Sequence, residues 1–166
     1  FALLCGDPGL GKSKALQFMA HRLERLEGVV VGVMERPQSS LGDFYREMGE
    51  LFGVTLSPAN RYGGFKALRQ RWLEHIKSTM FRPVLLIDEA QEMMTCSLNE
   101  LRLLGSAEFD SKCLLTIVLC GDMRLPERFR ESATFCADEG TPISNNGRNW
   151  RKNLLRIAGG ARSTPI

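Results

Sequence analysis

The chain lacks the sequence patterns that hold zinc, form redox dithiols or cross membranes. No two of its five cysteines are spaced as C-x-x-C, which argues against a zinc or redox motif. The two histidines, His21 and His75, are interpreted as solvated or structural rather than as ligands. No apolar run is long enough to span a bilayer and no signal peptide is recognisable. We therefore predict a cytoplasmic protein without membrane contact.

Acidic residues are missing from the last part of the chain. All 19 of them precede Gly140, and the residues that follow carry five basic side chains: Arg148, Arg151, Lys152, Arg156 and Arg162. Apolar residues also become sparse after about Ser132. We predict an ordered core over 1–131 and an irregular, poorly ordered basic tail over 132–166. Such a tail fits contact with nucleic acid, and equally a solvated or non-native end.

Three glycines lie close together near the start, where Gly6–Ser13 reads GDPGLGKS. This stretch fits G-x-x-x-x-G-K-[ST], the Walker A phosphate loop. It lies between the apolar run 1–5, a predicted buried strand, and a helical pattern from Lys12 to Leu26. Loop N–H groups and the helix N-terminus would bind phosphate oxygens. The predicted nucleotide-binding residues are Gly6, Asp7, Pro8, Gly9, Leu10, Gly11, Lys12, Ser13 and Lys14.

Glycine supplies this loop with backbone freedom. Gly6, Gly9 and Gly11 are expected to adopt conformations closed to other residues and to let the main chain approach phosphate oxygens. Lys12 is expected to reach the β- and γ-phosphates, and the hydroxyl of Ser13 to bind Mg²⁺. The loop therefore predicts ATP and Mg²⁺ as cofactors.

An acidic pair follows a second apolar run. Pro83–Ile87 reads as a buried strand and is followed directly by Asp88 and Glu89. Asp88 is predicted to hold Mg²⁺ through its water shell. Glu89 is predicted to orient or deprotonate the attacking water. Together with the phosphate loop, the pair predicts nucleotide hydrolysis.

Four apolar runs alternate with helical patterns, which predicts a three-layer α/β fold with a mostly parallel sheet. Besides 1–5 and 83–87, the predicted strands are 29–34 and 114–120. The remaining predictions are a helix capped by Ser40 and closed by Gly53, a loop over 54–63, a helix over 65–80, a helix with an S-x-x-E cap at Ser97–Glu100 that stops at Gly105, and a short helix over 125–131.

Three segments together resemble the AAA+ ATPases: GDPGLGKS, VLLIDEAQ and a later strand that ends LCGD. More narrowly, residues 1–131 resemble the transposition helper ATPases of the TniB, TnsC and MuB kind and the related ExeA-type ATPases. The segment VVVGVMERPQSSLGDFYREMGELFGV also looks like that group. SAT at 132–134 superficially resembles a helicase motif, but in helicases that motif follows a strand directly.

The resemblance implies roles at matching positions. Gly6, Gly11, Lys12 and Ser13 match Walker A, whereas Asp88 and Glu89 match Walker B. Asp122 falls at the position of a polar sensor residue, and Arg128 or Arg130 could be the arginine that reaches a neighbour's nucleotide. The implied strand order is fifth, first, fourth, third, second.

The implied partners are further copies of the chain in a homo-oligomer, duplex DNA bound without sequence preference, and a transposase. The resemblance also leaves two other functions open, an ATP-gated signalling switch and an ExeA-like secretion-associated ATPase. Residues 132–166 show neither the family's fifth strand nor its helical lid, so we expect a fold incomplete at its C-terminal side. Because the chain starts on a strand at Phe1, we also expect further sequence upstream.

Overall fold

The predicted alternation of strands and helices is confirmed in the computed structural model, which describes residues 1–56, 60–107 and 112–135. The strands are β1 (Ala2–Cys5), β2 (Val31–Met34), β3 (Val84–Ile87), β4 (Ser106–Ala107), β5 (Lys112–Cys113) and β6 (Thr116–Gly121). The helices are α1 (Lys12–Glu24), α2 (Leu41–Phe52), α3 (Arg61–Thr79), α4 (Thr95–Gly105) and α5 (Arg124–Phe135), with a 3₁₀ turn over Ala90–Glu92.

Four strands form one parallel sheet in the order β1-β6-β3-β2. Since β6 is the fourth strand predicted from the sequence, this order confirms the first-fourth-third-second part of the implied arrangement. All four residues of β3 are buried. An uninterrupted apolar run is what a strand needs when helices cover both faces of its sheet.

The helices cover the two faces unequally. On one face, Leu16 and Ala20 of α1 pack against Leu86, Val118 and Cys120. On the other, the side chains of α2, α3 and α4 form the larger core with the sheet, and its most buried members include Phe44, Met48, Leu68, Trp72 and Leu101. The arrangement is the predicted three-layer α/β fold.

Local sequence signals set the ends of α2. The Ser40 hydroxyl accepts a hydrogen bond from the Asp43 N–H at 3.1 Å, as an N-cap does. Gly53 ends the helix in the left-handed region, with φ 66°. Both predictions are confirmed.

The predicted loop over 54–63 is too long, because α3 begins at Arg61 rather than Phe65. The Asn60 side chain caps the helix by accepting from the Gly63 N–H at 2.8 Å. Gly64 lies where a Cβ would come within 3.0 Å of the Tyr45 ring. These glycines therefore serve capping and close helix packing, which offsets their low helix propensity.

The predicted cap at Ser97–Glu100 is wrong. The helix α4 begins at Thr95, and both Ser97 and Glu100 are buried within it. The Ser97 hydroxyl has no hydrogen-bond partner among the described residues. The Glu100 carboxylate instead accepts hydrogen bonds from the Tyr45 hydroxyl and the Arg61 guanidinium. A tertiary ion pair across three helices thus replaces the local cap.

Two further elements differ from the predictions. The short antiparallel pair β4-β5 was not predicted, and α5 continues to Phe135, beyond the predicted end at Glu131. The remainder of the predicted tail, 136–166, lies outside the described residues, so its predicted irregularity stays a prediction. In the described ranges, no helix combines the length and apolar character that a membrane crossing requires.

The hydrogen bonds that Glu100 accepts from Tyr45 and Arg61 lead to a prediction about stability. Replacing Tyr45 by Phe removes one donor to a carboxylate that is 3% exposed. We expect the free energy of unfolding to fall by about 1–3 kcal/mol, the usual cost of leaving a buried polar group without its partner. Urea unfolding of both proteins measures this change.

The control is Arg46→Ala, which breaks the exposed pair between Arg46 and Asp43. It should change the free energy of unfolding by no more than about 0.5 kcal/mol. Equal losses in the two variants would show that the Tyr45–Glu100 contact adds nothing beyond an exposed ion pair.

Candidate functional site

The predicted site residues meet at the carboxyl edge of the sheet. The phosphate loop follows β1, Asp122 follows β6, and Asp88 and Glu89 follow β3. Because β6 pairs with both β1 and β3, these three strand ends are neighbours. The Gly6 N–H donates to the Gly121 carbonyl at 3.3 Å, which joins the loop to the end of β6. Parallel pairing therefore assembles the site from segments far apart in sequence.

Two of the three loop glycines have the conformation that was expected. Gly9 and Gly11 have φ of 82° and 76°, in the left-handed region that favours glycine. Gly6 is not in that region, and a Cβ there would meet Leu10 Cδ1 at 3.3 Å. The expectation of special backbone freedom at Gly6 is therefore wrong. The absence of a Cβ at Gly6 instead leaves room for the side chain of Leu10.

The loop presents the amino end of α1. Gly11 is the N-cap, and the Ala15 N–H makes the first bond of the helix, to the Gly11 carbonyl at 2.9 Å. The N–H groups before it have no partner within the helix. The first turn contains no acidic side chain. This end of α1 has the free donors and partial positive charge that bind phosphate.

Two lysines lie at the loop. The Lys12 ammonium donates to the Asp7 carbonyl at 2.9 Å and is thereby folded over the loop. The Lys14 ammonium donates to Gln17 Oε1 at 3.2 Å, along the surface of α1. Ser13 is exposed at the start of the helix. Of the two cations, Lys12 is the one directed to the loop.

Asp88 and Glu89 differ in setting although they are adjacent. Asp88 is half-buried, its N–H donates to the Met34 carbonyl at 2.9 Å, and its Oδ1 accepts from the Glu89 N–H at 2.9 Å. Glu89 is exposed and has φ of 48°, which is uncommon outside glycine. Its carboxylate accepts a hydrogen bond from the Gln91 side-chain amide. Strained backbone of this kind concentrates at functional sites.

Cys120 lies beside Asp88. Burial and the negative charge of Asp88 raise the pKa of the Cys120 thiol to about 12, and the two side chains are hydrogen-bonded. Since the thiol stays protonated at neutral pH, it is the donor and Asp88 the acceptor. Cys120 is fully buried at the end of β6, and nothing in the sequence indicates its contact with the acidic pair.

The donor set of Ser13 and Asp88 fits Mg²⁺. A hydroxyl and a carboxylate are hard oxygen ligands, and Mg²⁺ usually takes only one or two from the protein and completes its shell with waters and substrate phosphates. Both side chains lie at the same edge of the sheet, after β1 and β3.

Asp122 is tied to a residue that the sequence did not suggest. Its Oδ1 accepts from the Arg124 N–H at 2.9 Å and its Oδ2 from Arg124 Nε at 2.8 Å. Although partial burial acts to raise it, these hydrogen bonds hold the pKa of Asp122 below its usual value. Arg124 also donates to Glu92 Oε1 at 2.7 Å. Asp122 is thus an ionised group in a surface ion-pair network.

The two arginines suggested for contact with a neighbouring subunit both lie on α5. The Arg128 guanidinium donates to the main-chain carbonyl of Gln91 and, at 3.4 Å, to the Thr95 hydroxyl, both in its own chain. The side chain of Arg130 lies outside the described residues. Contact between either arginine and a neighbour's nucleotide stays a prediction.

Sequence reasoning missed three residues of the site. Gln91 stands two positions after Glu89 in the same motif, which could have marked it as a candidate. Cys120 and Arg124 carry no such signal, because only strand pairing and the turn after β6 bring them to the acidic residues.

The AAA domain family model matches residues 1–129. The chain belongs to the AAA domain family. Over 134 residues this AAA domain is 28% identical to general secretion pathway protein A of Aeromonas hydrophila, covering 79% of the chain and 24% of that protein. The resemblance to AAA+ ATPases, including secretion-type relatives, is thereby confirmed.

The fold of this AAA domain is also similar to a solved structure. The ORC2 protein of Aeropyrum pernix, determined as ADPNP–ADP complexes, superposes with a TM-score of 0.51 at 16% identity, over 78% of this chain and 36% of that one. The domain therefore spans about a quarter of the secretion relative and about a third of the ORC2 chain. At this identity, the similarity to ORC2 shows the fold alone.

Proposed function

We propose that this AAA domain binds Mg-ATP and hydrolyses it to ADP and phosphate. The observation that supports the proposal most is the placement of the phosphate loop after β1 and of Asp88 and Glu89 after β3, on either side of β6. A triphosphate seated on the amino end of α1 would point its terminal phosphate toward the acidic pair.

The residues have distinct tasks in this reaction. The loop N–H groups bind phosphate oxygens, and Lys12 exchanges the Asp7 carbonyl for the β- and γ-phosphates. Glu89 accepts a proton from the water that attacks the γ-phosphorus. Mg²⁺, held by Ser13 and Asp88, would neutralise charge on the β- and γ-oxygens. The ADP and phosphate then leave from the exposed edge of the sheet.

Binding is tested at Lys12. Replacing Lys12 by Ala removes the cation folded over the loop, and we expect affinity for ATP to fall by about 10-fold or more, since a charge-assisted hydrogen bond contributes about 1.5–3 kcal/mol. Titration with a fluorescent ATP analogue measures the dissociation constant. The control is Arg22→Ala on the exposed side of the same helix. If Lys12→Ala binds as tightly as Arg22→Ala, the assignment of the phosphate site is wrong.

Chemistry is tested at Glu89. Glu89→Gln keeps the shape of the side chain but cannot accept the proton of the attacking water. We expect ATP affinity to be retained and hydrolysis to fall by about 10²–10⁴-fold. Phosphate release under saturating ATP is the measurement. Turnover at the wild-type rate in this variant would place the general base elsewhere.

For the biological role of the ATPase, we propose that it is a DNA-associated transposition helper. In this role it assembles as a homo-oligomer on duplex DNA and regulates a transposase in target-site selection. The resemblance to the transposition helpers supports it, together with the cationic surface of α3. Lys66, Arg71 and Lys77 are exposed there. Arg61 and Arg69 on the same helix are engaged with Glu100 and with the Leu103 carbonyl.

The similarity to general secretion pathway protein A favours a second candidate, a secretion-associated ATPase. In that role, or in an ATP-gated switch, the output would be a contact with another protein rather than with DNA. The two classes differ in a simple property, because only the first needs duplex DNA to raise the rate of hydrolysis.

Assembly on DNA is tested by the ATPase rate per subunit at increasing protein concentration. We expect the rate to rise with concentration and to rise further with duplex DNA at low salt, because arginines supplied by a neighbouring subunit can raise turnover by about 10³–10⁵-fold in related GTPases. Contacts with phosphates make the DNA effect independent of sequence and sensitive to salt.

The test variant is Lys66→Gln/Arg71→Gln/Lys77→Gln, and the control is Arg22→Gln/Arg25→Gln at the C-terminal end of α1. The first should lose DNA stimulation and the second should keep it. A rate unaffected by concentration and DNA would contradict the DNA-assembled model and favour the secretion-type or switch function.

A further inference from the structure

We propose that Gln91 is a positioning residue that holds the Glu89 carboxylate for hydrolysis and couples its orientation to the end of β6 and to α5. This inference rests on the proposed function, because it assigns Glu89 the role of general base. It concerns a side chain that contacts the acidic pair without itself lying on the phosphate loop.

Both ends of the Gln91 amide are engaged. The residue is 5% exposed. Its side-chain Oε1 accepts from the Asp122 N–H at 3.1 Å, and its Nε2 donates to the Glu89 carboxylate. A backbone N–H can only donate and a carboxylate can only accept. The amide therefore has a single orientation that satisfies both partners, and Asp122 determines which atom faces Glu89.

Glu89 needs such a partner because it is exposed and has several rotamers open to it. The hydrogen bond to Gln91 occupies Oε2. The other carboxylate oxygen of Glu89 is left to accept a proton from water. A general base acts only when it is within hydrogen-bond reach of the proton it takes, so fixing the carboxylate raises the fraction of productive encounters.

Gln91 is also held by elements beyond the acidic pair. A Cβ on Gly121, at the end of β6, would lie 2.4 Å from Gln91 Oε1, so only glycine leaves room for the amide. The Gly121 carbonyl in turn accepts from the Gly6 N–H of the phosphate loop. The Arg128 guanidinium donates from α5 to the main-chain carbonyl of Gln91. A displacement of β6 would therefore reach Glu89 through the Gln91 side chain, and a displacement of α5 through the Gln91 backbone.

The first variant is Gln91→Leu, which keeps the approximate volume and removes the amide. We expect kcat to fall by about 10–100-fold, the equivalent of one hydrogen bond to a charged group, while affinity for ATP stays within about twofold of the wild type. The control is Gln70→Leu on α3, which removes an exposed amide–carboxylate hydrogen bond of 2.7 Å to Glu74. It should leave kcat unchanged.

The second variant, Gly121→Ala, displaces the amide while Gln91 is still present, and it covers the case in which Gln91→Leu fails to fold. Its kcat should fall in the same direction with affinity retained. Gly105→Ala is its control, since a Cβ there would meet Ile117 at an ordinary contact distance of 3.4 Å. Wild-type kcat in folded Gly121→Ala would overturn the proposal.

A double-mutant cycle separates this proposal from the proposed function. In a Glu89→Gln background, Gln91→Leu should reduce single-turnover hydrolysis by no more than about twofold, because the group that it positions is already lost. Full additivity of the two effects would assign Gln91 a role independent of Glu89 and overturn the proposal. If the wild-type chain does not hydrolyse ATP, the proposed function fails. If Glu89→Gln alone retains turnover, the general-base role of Glu89 fails, and the positioning role of Gln91 fails with it. If Glu89→Gln loses turnover and Gln91→Leu does not, only the positioning role fails.

Discussion

The pairing of β6 with both β1 and β3 is the constraint on which the rest of the structure depends. It requires β3 to be apolar throughout and β6 to be apolar from Ile117 onward, because α1 covers one face of the sheet and α2 to α4 the other. It also brings three strand ends to one edge. Backbone groups leave the ladder there, so polar side chains and loop N–H groups are available to a ligand rather than to the sheet.

The two halves of the candidate site depend to different degrees on contacts with other elements. The phosphate loop is built from backbone, and its positive φ values at Gly9 and Gly11 need no support from other elements. The acidic half is built from side chains and is supported from outside. Glu89 has a left-handed backbone, and its carboxylate is held by Gln91, which is itself fixed by the end of β6. Substitutions at the end of β6 should therefore alter the rate of hydrolysis more readily than the affinity for nucleotide.

The helical layer opposite α1 shows how tertiary contacts override local signals. Glu100 has the spacing of a capping residue, yet it is buried and bound to Tyr45 and Arg61 from two other helices. The glycines near the start of α3 suggest a loop but lie in a helix, because Gly64 packs against the Tyr45 ring. In both places the packing of α2, α3 and α4 decided the outcome.

The sequence by itself determined the α/β class, the four main strands, the caps of α2 and the phosphate loop with its acidic pair. These features depend on neighbours in sequence: apolar runs, turn residues and the fixed spacing of a backbone-built anion site. Only the tertiary structure decided which polar side chains surround the acidic pair. Cys120 and Asp122 reach Asp88 and Gln91 through strand pairing. The hydrogen bond between Asp122 and Gln91 joins residues 31 positions apart, so no local sequence pattern predicts it.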